Sequence, residues 1–295
     1  MRVGDLQRSE NAIDVLQRSV GAIDRAQRQV ATGKRVQRPS DAPIDAASIT
    51  VLRSAEADIE RQQRATADAD AWFAVQDGSL QSASTLLARA KQLGLQAMSG
   101  ALDAGGLAAI SSEIDGIRAQ MVSIANSSYL GQAVFGAFGT QAVTTTATTA
   151  TFTGTPGAQV QRQVGPGQVV AVNTDGAAIF GFTAGNDVFG VLQRLSAAVQ
   201  SGNTAAMSTE NTALDTRAGD IRTALGDVGA RWSSVTNRQE QLADRKTELA
   251  SQRSQIEDVD VNEAAMQLAQ ASRTYEAVIA SIARMQQMSL VDFLR

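Results

Sequence analysis

The two ends of this chain carry the same spacing of apolar residues, and that spacing most constrains what it can fold into. Near the start, Leu6, Ile13, Leu16, Val20, Ile23 and Val30 fall on one heptad pattern. Near the end, Val261, Leu268, Tyr275, Val278, Ile282 and Met285 do the same, with Ala264 and Ala271 at the intermediate places. A repeat of this period puts all of these side chains on one stripe of an α-helix. Each stripe runs over 25 residues, or about 37 Å of helix. Equal lengths predict that the two terminal helices pair with each other, parallel or antiparallel. A narrow stripe on each of two helices buries little surface, so the pair is expected to need further partners, either its own copies or a neighbouring protein.

The same period recurs between the ends. Leu52, Ile59, Phe73, Leu80 and Leu87 mark a long helix between Pro43 and Gly100, and Leu107, Ile110, Ile114, Ile117, Met121 and Ile124 mark the next. Val188, Leu192, Leu195 and Val199 predict a shorter helix capped near Asn186. Leu214, Ile221, Val228, Val235 and Leu242 predict another long one.

The segment 131–190 breaks the pattern. It has no Leu, Met, Lys or Glu, yet it holds six of the eight Phe residues. Val, Thr and Gly dominate it, which predicts an inserted β unit. Val160–Val164 is expected to be a strand. Val169–Val172 and Ala177–Phe182 flank Asn173-Thr174-Asp175-Gly176, which predicts a hairpin. The Thr-rich run 144–155 fits either a polar strand or a linker. The expected fold is therefore mainly α: long heptad-patterned helices from both chain ends forming a helical bundle or coiled coil, with a small inserted β domain. Residues 1–43 and 254–295 are read as a terminal helical assembly domain. Residues 44–130 and 186–253 form a helical rod, and 131–185 the β domain.

One loop invites a chemical reading. Thr32 to Pro43 reads TGKRVQRPSDAP, with Gly33, Lys34, Arg35, Arg38, Pro39, Ser40, Asp41 and Pro43. A phosphate loop needs a glycine five residues before Gly33, where Arg28 stands, and a strand ahead of it rather than a helix. The residues suit a helix break instead. Gly33 can close the first helix in a left-handed conformation, Pro39 excludes helix at Arg38, and Ser40 or Asp41 can cap the next helix with Pro43 in its first turn. The three basic side chains are expected to face solvent or neighbouring subunits. Asp258, Asp260 and Asn262 begin like a calcium loop, but Glu263 and Ala269 occupy the places of its glycine and its final ligand. A helix junction with Asp260 and Glu263 as a capping pair fits better.

The chain has no His and no Cys, which removes their nucleophiles, bases and zinc sites. Its 26 basic against 30 acidic residues give a net charge of −4, against a nucleic-acid partner. No cofactor loop, metal set or catalytic constellation emerges, so no enzyme and no cofactor are expected. No apolar run suggests a membrane span, and the residues MRVGDLQRSENAID hold no signal-peptide core.

The Thr32–Pro43 loop resembles the flagellin superfamily, in particular its hook-associated, hook–filament junction members. Those carry Ser/Thr-Gly-Lys-Arg-Ile-x-Arg-Pro-Ser-Asp-Asp-Pro after the first helix. This chain departs at Ala42, where the family usually has a second Asp. Filament flagellins tend to lack the Arg-Pro pair. Residues 124–139, 164–176, 228–242 and 254–268 are similar to later family stretches, and MSLVDFLR at 288–295 is similar to the family's C-terminal finish. The resemblance implies a structural component of the bacterial flagellum, extracellular and exported without a cleavable signal peptide through a type III route. Its implied partners are its own copies in a ring, an adjacent hook-associated protein, flagellin and a cytosolic export chaperone. The chaperone would cover the 261–285 stripe and the tail residues Leu290, Phe293 and Leu294. A filament-forming flagellin and a cytosolic coiled-coil scaffold are the alternatives.

Overall fold

The structure, a computed structural model, describes residues 2–100, 102–146, 149–165 and 167–293, with the side chains of 2–9 and 285–293 outside that description. Seven α-helices carry most of it: α1 (Arg2–Thr32), α2 (Pro43–Met98), α3 (Ala104–Ala125), α4 (Gly176–Ile179), α5 (Val188–Gln200), α6 (Thr204–Glu257) and α7 (Val261–Phe293). Three two-stranded antiparallel hairpins stand between α3 and α4: β1–β2 (Ser128–Tyr129, Gln132–Ala133), β3–β4 (Val143–Thr145, Ala150–Phe152) and β5–β6 (Gln161–Gly165, Gln168–Ala171). This is the mainly α fold with a small β insert that the periodicity predicts. The chain divides into two compact units, Met1–Asp58 with Arg245–Arg295, and Ile59–Asp244. Helices α2 and α6 each contribute residues to both.

The second unit holds the large core. Helices α2 and α6 run antiparallel, held by Arg238–Gln62 at 3.0 Å, Trp232–Asp70 at 2.6 Å and Lys91–Asp215 at 2.6 Å. Helices α3 and α5 pack on each other, with Ser111 and Ser196 hydroxyls 2.8 Å apart in the interior. Leu80, Leu87, Leu93, Ile114, Met121, Leu192 and Leu195 fill the space between the helices. Most of these lie on the predicted stripes, because a helix packed on two neighbours buries the whole apolar face. Asp103 caps α3 and Asp187 caps α5; the expected cap at Asn186 is one residue early.

The β insert is fastened by side-chain amides rather than by a continuous sheet. Gln76 of α2 donates to the carbonyls of Val172 at 2.8 Å and Val134 at 3.3 Å. Asn126 accepts from the amides of Ala142 and Val143, and Asn173 from that of Val160. Each satisfies main-chain groups that a two-stranded hairpin leaves open. An aromatic chain, Phe152–Phe182–Phe189–Phe180–Phe135, joins the insert to α5 with centroid spacings of 5.4 to 5.8 Å.

One expectation for the insert is corrected, and the Thr-rich run takes the first of its two readings. The Asp175-Gly176 pair makes no hairpin. The Asp175 carboxylate accepts from the Ala177 amide and starts α4, while β6 pairs backwards with β5 across Gly167. Gly176 is required there because a Cβ would lie 2.5 Å from the Phe135 carbonyl. The Thr-rich run is a hairpin, Thr144 opposite Thr151, with Ala147 and Thr148 outside the described residues.

Candidate functional site

The first unit carries the candidate assembly residues. Helix α1 leads into the loop, and Lys34 bridges to Asp258 just before α7 begins, so α1 and α7 share a corner and run antiparallel along each other. On α7 the inward face is the predicted one. Ala264 is buried, and Leu268, Ala271, Tyr275, Val278 and Ile282 are half-buried. Val261 departs from it, being 53% exposed. On α1 the inward face is rotated from the predicted stripe. Leu16, Ile23 and Val30 take part, but the most buried residues are Ser19 and Ala26, while Ile13 is 53% and Val20 47% exposed. The apolar arc of α1 is wider than one partner helix can cover. Small residues let the two backbones approach, so contact settles on the Ser19/Ala26 side and leaves Ile13 and Val20 open. Side chains of Leu6, Met285, Leu290 and Phe293, and all of Leu294, lie outside the described residues.

The loop is a built joint. Gly33 has φ +68°, and its N–H reaches the Gln29 carbonyl at 2.8 Å, closing α1 in the left-handed manner glycine permits. Thr32 Oγ1 accepts from Gln37 Nε2 at 2.6 Å. Asp41 does not cap α2. Pro39 turns the chain, and the Asp41 carboxylate folds back to accept from the N–H groups of Arg38 at 2.9 Å and Gln37 at 3.2 Å. These bonds, the Arg38 one foremost, hold its carboxyl below the usual range. Ser40 is exposed, and Ala42 stands just before Pro43, its carbonyl accepting from Ala46 N–H at 2.9 Å. The place where a second Asp could cap α2 is thus the place where this chain has Ala. Arg38 is exposed, as expected of a basic loop residue; Arg35 is exposed too but is tied to Asp45 and the Ile256 carbonyl, while Lys34 is half-buried and reaches into the joint.

What Lys34 reaches is Glu257, the last residue of α6 and 1% exposed. Its Oε1 accepts from Lys34 Nζ at 2.6 Å and Arg53 Nη2 at 2.6 Å, and its Oε2 from Arg253 Nη1 at 2.8 Å. Arg253 also donates to Glu56 at 2.9 Å. The Glu257 carbonyl accepts from Arg35 N–H at 2.7 Å, and the Gly33 carbonyl from Val259 N–H at 2.9 Å. Arg35 spans Asp45 and the Ile256 carbonyl. The acidic residues that follow serve helix ends: Asp258 accepts from Ser254, and Asp260 from Asn262 N–H at 2.8 Å at the start of α7.

Burial pushes the Glu257 carboxyl up, but the hydrogen bonds from Lys34, Arg253 and Arg53 outweigh it and bring its pKa from 4.5 to about 2. A folded value below the unfolded one stabilises the protein above the unfolded pKa and is lost as pH falls through the folded one. With the cations half exposed, that contribution is on the order of 2 kcal/mol. Acid titration followed by hydrogen exchange should therefore loosen the first unit between pH 4.5 and about 2. A Glu257→Gln variant should show no transition in that window.

The N-terminal helical region of bacterial flagellin matches residues 5–140, and its C-terminal helical region matches 193–294. The chain belongs to the flagellin family. Among curated proteins no sequence match is found. Solved structures share the fold of this flagellin-family chain. A protein of Vibrio parahaemolyticus described as a flagellar hook-associated protein aligns over 74% of this chain and 100% of its own at TM-score 0.69 and 17% identity. Bacillus cereus FlgL aligns over 69% and 99% at 0.60 and 23%. The flagellar junction protein FlgL of Legionella pneumophila aligns over 71% and 99% at 0.59 and 16%. Among the described residues, no helix is long and apolar enough to cross a membrane.

Sequence reading singled out Lys34 and Arg35 but missed Glu257. The only local signal was its place one helical turn after Arg253, a spacing shared by many surface pairs.

Proposed function

We propose that this chain is a structural, non-catalytic subunit of the bacterial flagellum that acts at the hook–filament junction. The observation that carries the reading is the correspondence of fold with hook-associated and junction proteins, which covers 69–74% of this chain and at least 99% of three of those chains. The Arg38-Pro39-Ser40-Asp41 sequence in the loop supports it. On this reading residues 1–43 and 254–295 form the assembly domain, 44–130 and 186–253 the rod, and 131–185 a small β domain. The open face at Ile13 and Val20 and the residues of α7 meet other copies, an adjacent hook-associated protein and flagellin. A cytosolic chaperone covers the C-terminal helix before export to an extracellular flagellum.

Mass spectrometry of hook–basal bodies stripped of filament tests the proposal. The chain is expected at the distal end of these particles. Recovery only in the filament fraction would make it a filament subunit, and recovery only in cytoplasm would make it a scaffold.

A further inference from the structure

Glu257 holds its charge where two effects oppose it. It is buried, and it ends α6, where the helix dipole disfavours an anion. Three cations from three elements offset this: Lys34 from the loop, Arg53 from α2 and Arg253 from α6. Their side chains remain 39%, 57% and 29% exposed, so water can take them back once the anion is gone. The other charged groups in this joint are Arg35, Asp45, Glu56 and Asp258, and each already has a partner. The negative charge that faces all three cations therefore sits on one inner residue, and the positive charge at the rim. The main chain adds to this, since the Glu257 carbonyl also receives the Arg35 and Val36 amides. Beyond this corner, α1 and α7 meet along a mostly half-buried stripe, which fixes their register only weakly.

We propose that Glu257 is the pin of a charge latch that closes loop 33–38 onto the α6–α7 junction and sets the register of α1 against α7. Neutralising the pin frees the loop and loosens α1 from α7, while the second unit keeps its fold. The latch is a property of the isolated chain and does not depend on where in a flagellum it works.

Purified full-length protein and its Glu257→Gln variant, equal in size at the pin, test this at neutral pH. The probes are hydrogen exchange at the Arg35, Val36 and Val259 amides and trypsin cleavage after Lys34 and Arg35. Fluorescence of Trp72 and Trp232 serves as a control for the second unit. The variant should open at least about tenfold more often at low salt. Salt of about 1 M should move wild type only part of the way towards the variant, because contacts of 2.6–2.8 Å to a buried carboxylate are screened much less than exposed pairs. The variant should ignore salt. Unchanged protection in Glu257→Gln overturns the latch. If Glu257→Gln loses its helical signal altogether, Arg53→Gln carries the test. Its side chain is more than half exposed, and faster exchange at Val36 and Val259 supports the latch while unchanged exchange overturns it.

Discussion

Replacing Phe180 with alanine should lower the stability of the second unit by about 4 kcal/mol, the middle of the range for a buried aromatic truncation. Phe180 is fully buried and stands in the middle of the aromatic chain, 5.4 Å from Phe135 in an edge-on arrangement and 5.8 Å from Phe189. Its backbone is also engaged. The Phe180 N–H bonds the Gly176 carbonyl and its own carbonyl accepts from Val188. The walls around it therefore cannot collapse easily, and an unfilled cavity is the costly outcome. Removing the ring also breaks two aromatic pairs, each worth about 1 kcal/mol beyond burial. Since whole domains are stable by only about 5–15 kcal/mol, the variant should sit near its threshold at room temperature. Urea unfolding followed by Trp72 and Trp232, both in this unit, reads the loss. Phe180→Leu keeps most of the volume and should cost about 1.5 kcal/mol. Equal midpoints for wild type and the alanine variant would mean that the insert is not tied to α5 through this ring.

The second large effect is expected from ending the chain before Val261. Helix α1 would then lose the surface it packs on. Its inward residues are mostly half-buried even in the pair, and an isolated helix of 31 residues with Gly4 and Gly21 in it is marginal in water. Helix α7 lies wholly in the first unit and both Trp residues in the second, so Trp fluorescence should be unchanged. Far-UV circular dichroism should lose more signal than α7 alone accounts for, because α1 melts with it. On the proposed function, cells carrying the truncation as their only copy should be non-motile, with hooks that lack filaments. Normal swimming by those cells would remove the assembly role from both terminal helices.

Periodicity made the helices legible because each long helix of the second unit buries one unbroken face. Ile114, Leu192, Ile221 and Val235 all sit at predicted inward places. The stripe on α7 was legible for the same reason. That on α1 was not, since its apolar arc is wide enough for two partners and only tertiary contact with α7 selects the Ser19/Ala26 side. Asp175 and Asp41 were misread through one ambiguity. A short acid beside a turn can support a hairpin, cap a helix or bond its own loop, and distant packing decides which. Gly33, by contrast, was legible as a helix stop because its role is local. The ion cluster at Glu257 joins residues from opposite ends of the chain, and no local pattern records such a meeting.

The antiparallel pairing of α1 with α7 also has a consequence in time. On the ribosome α1 emerges ahead of every other helix, and α7 follows them all. Lys34 and Arg53 are likewise made long before Arg253 and Glu257. The whole of Ile59–Asp244 is available to fold in the interval, on contacts it makes by itself. The first unit has no such option. It closes over the whole sequence of the second unit, and non-local closure of this kind slows formation and lengthens the exposure of a nascent chain.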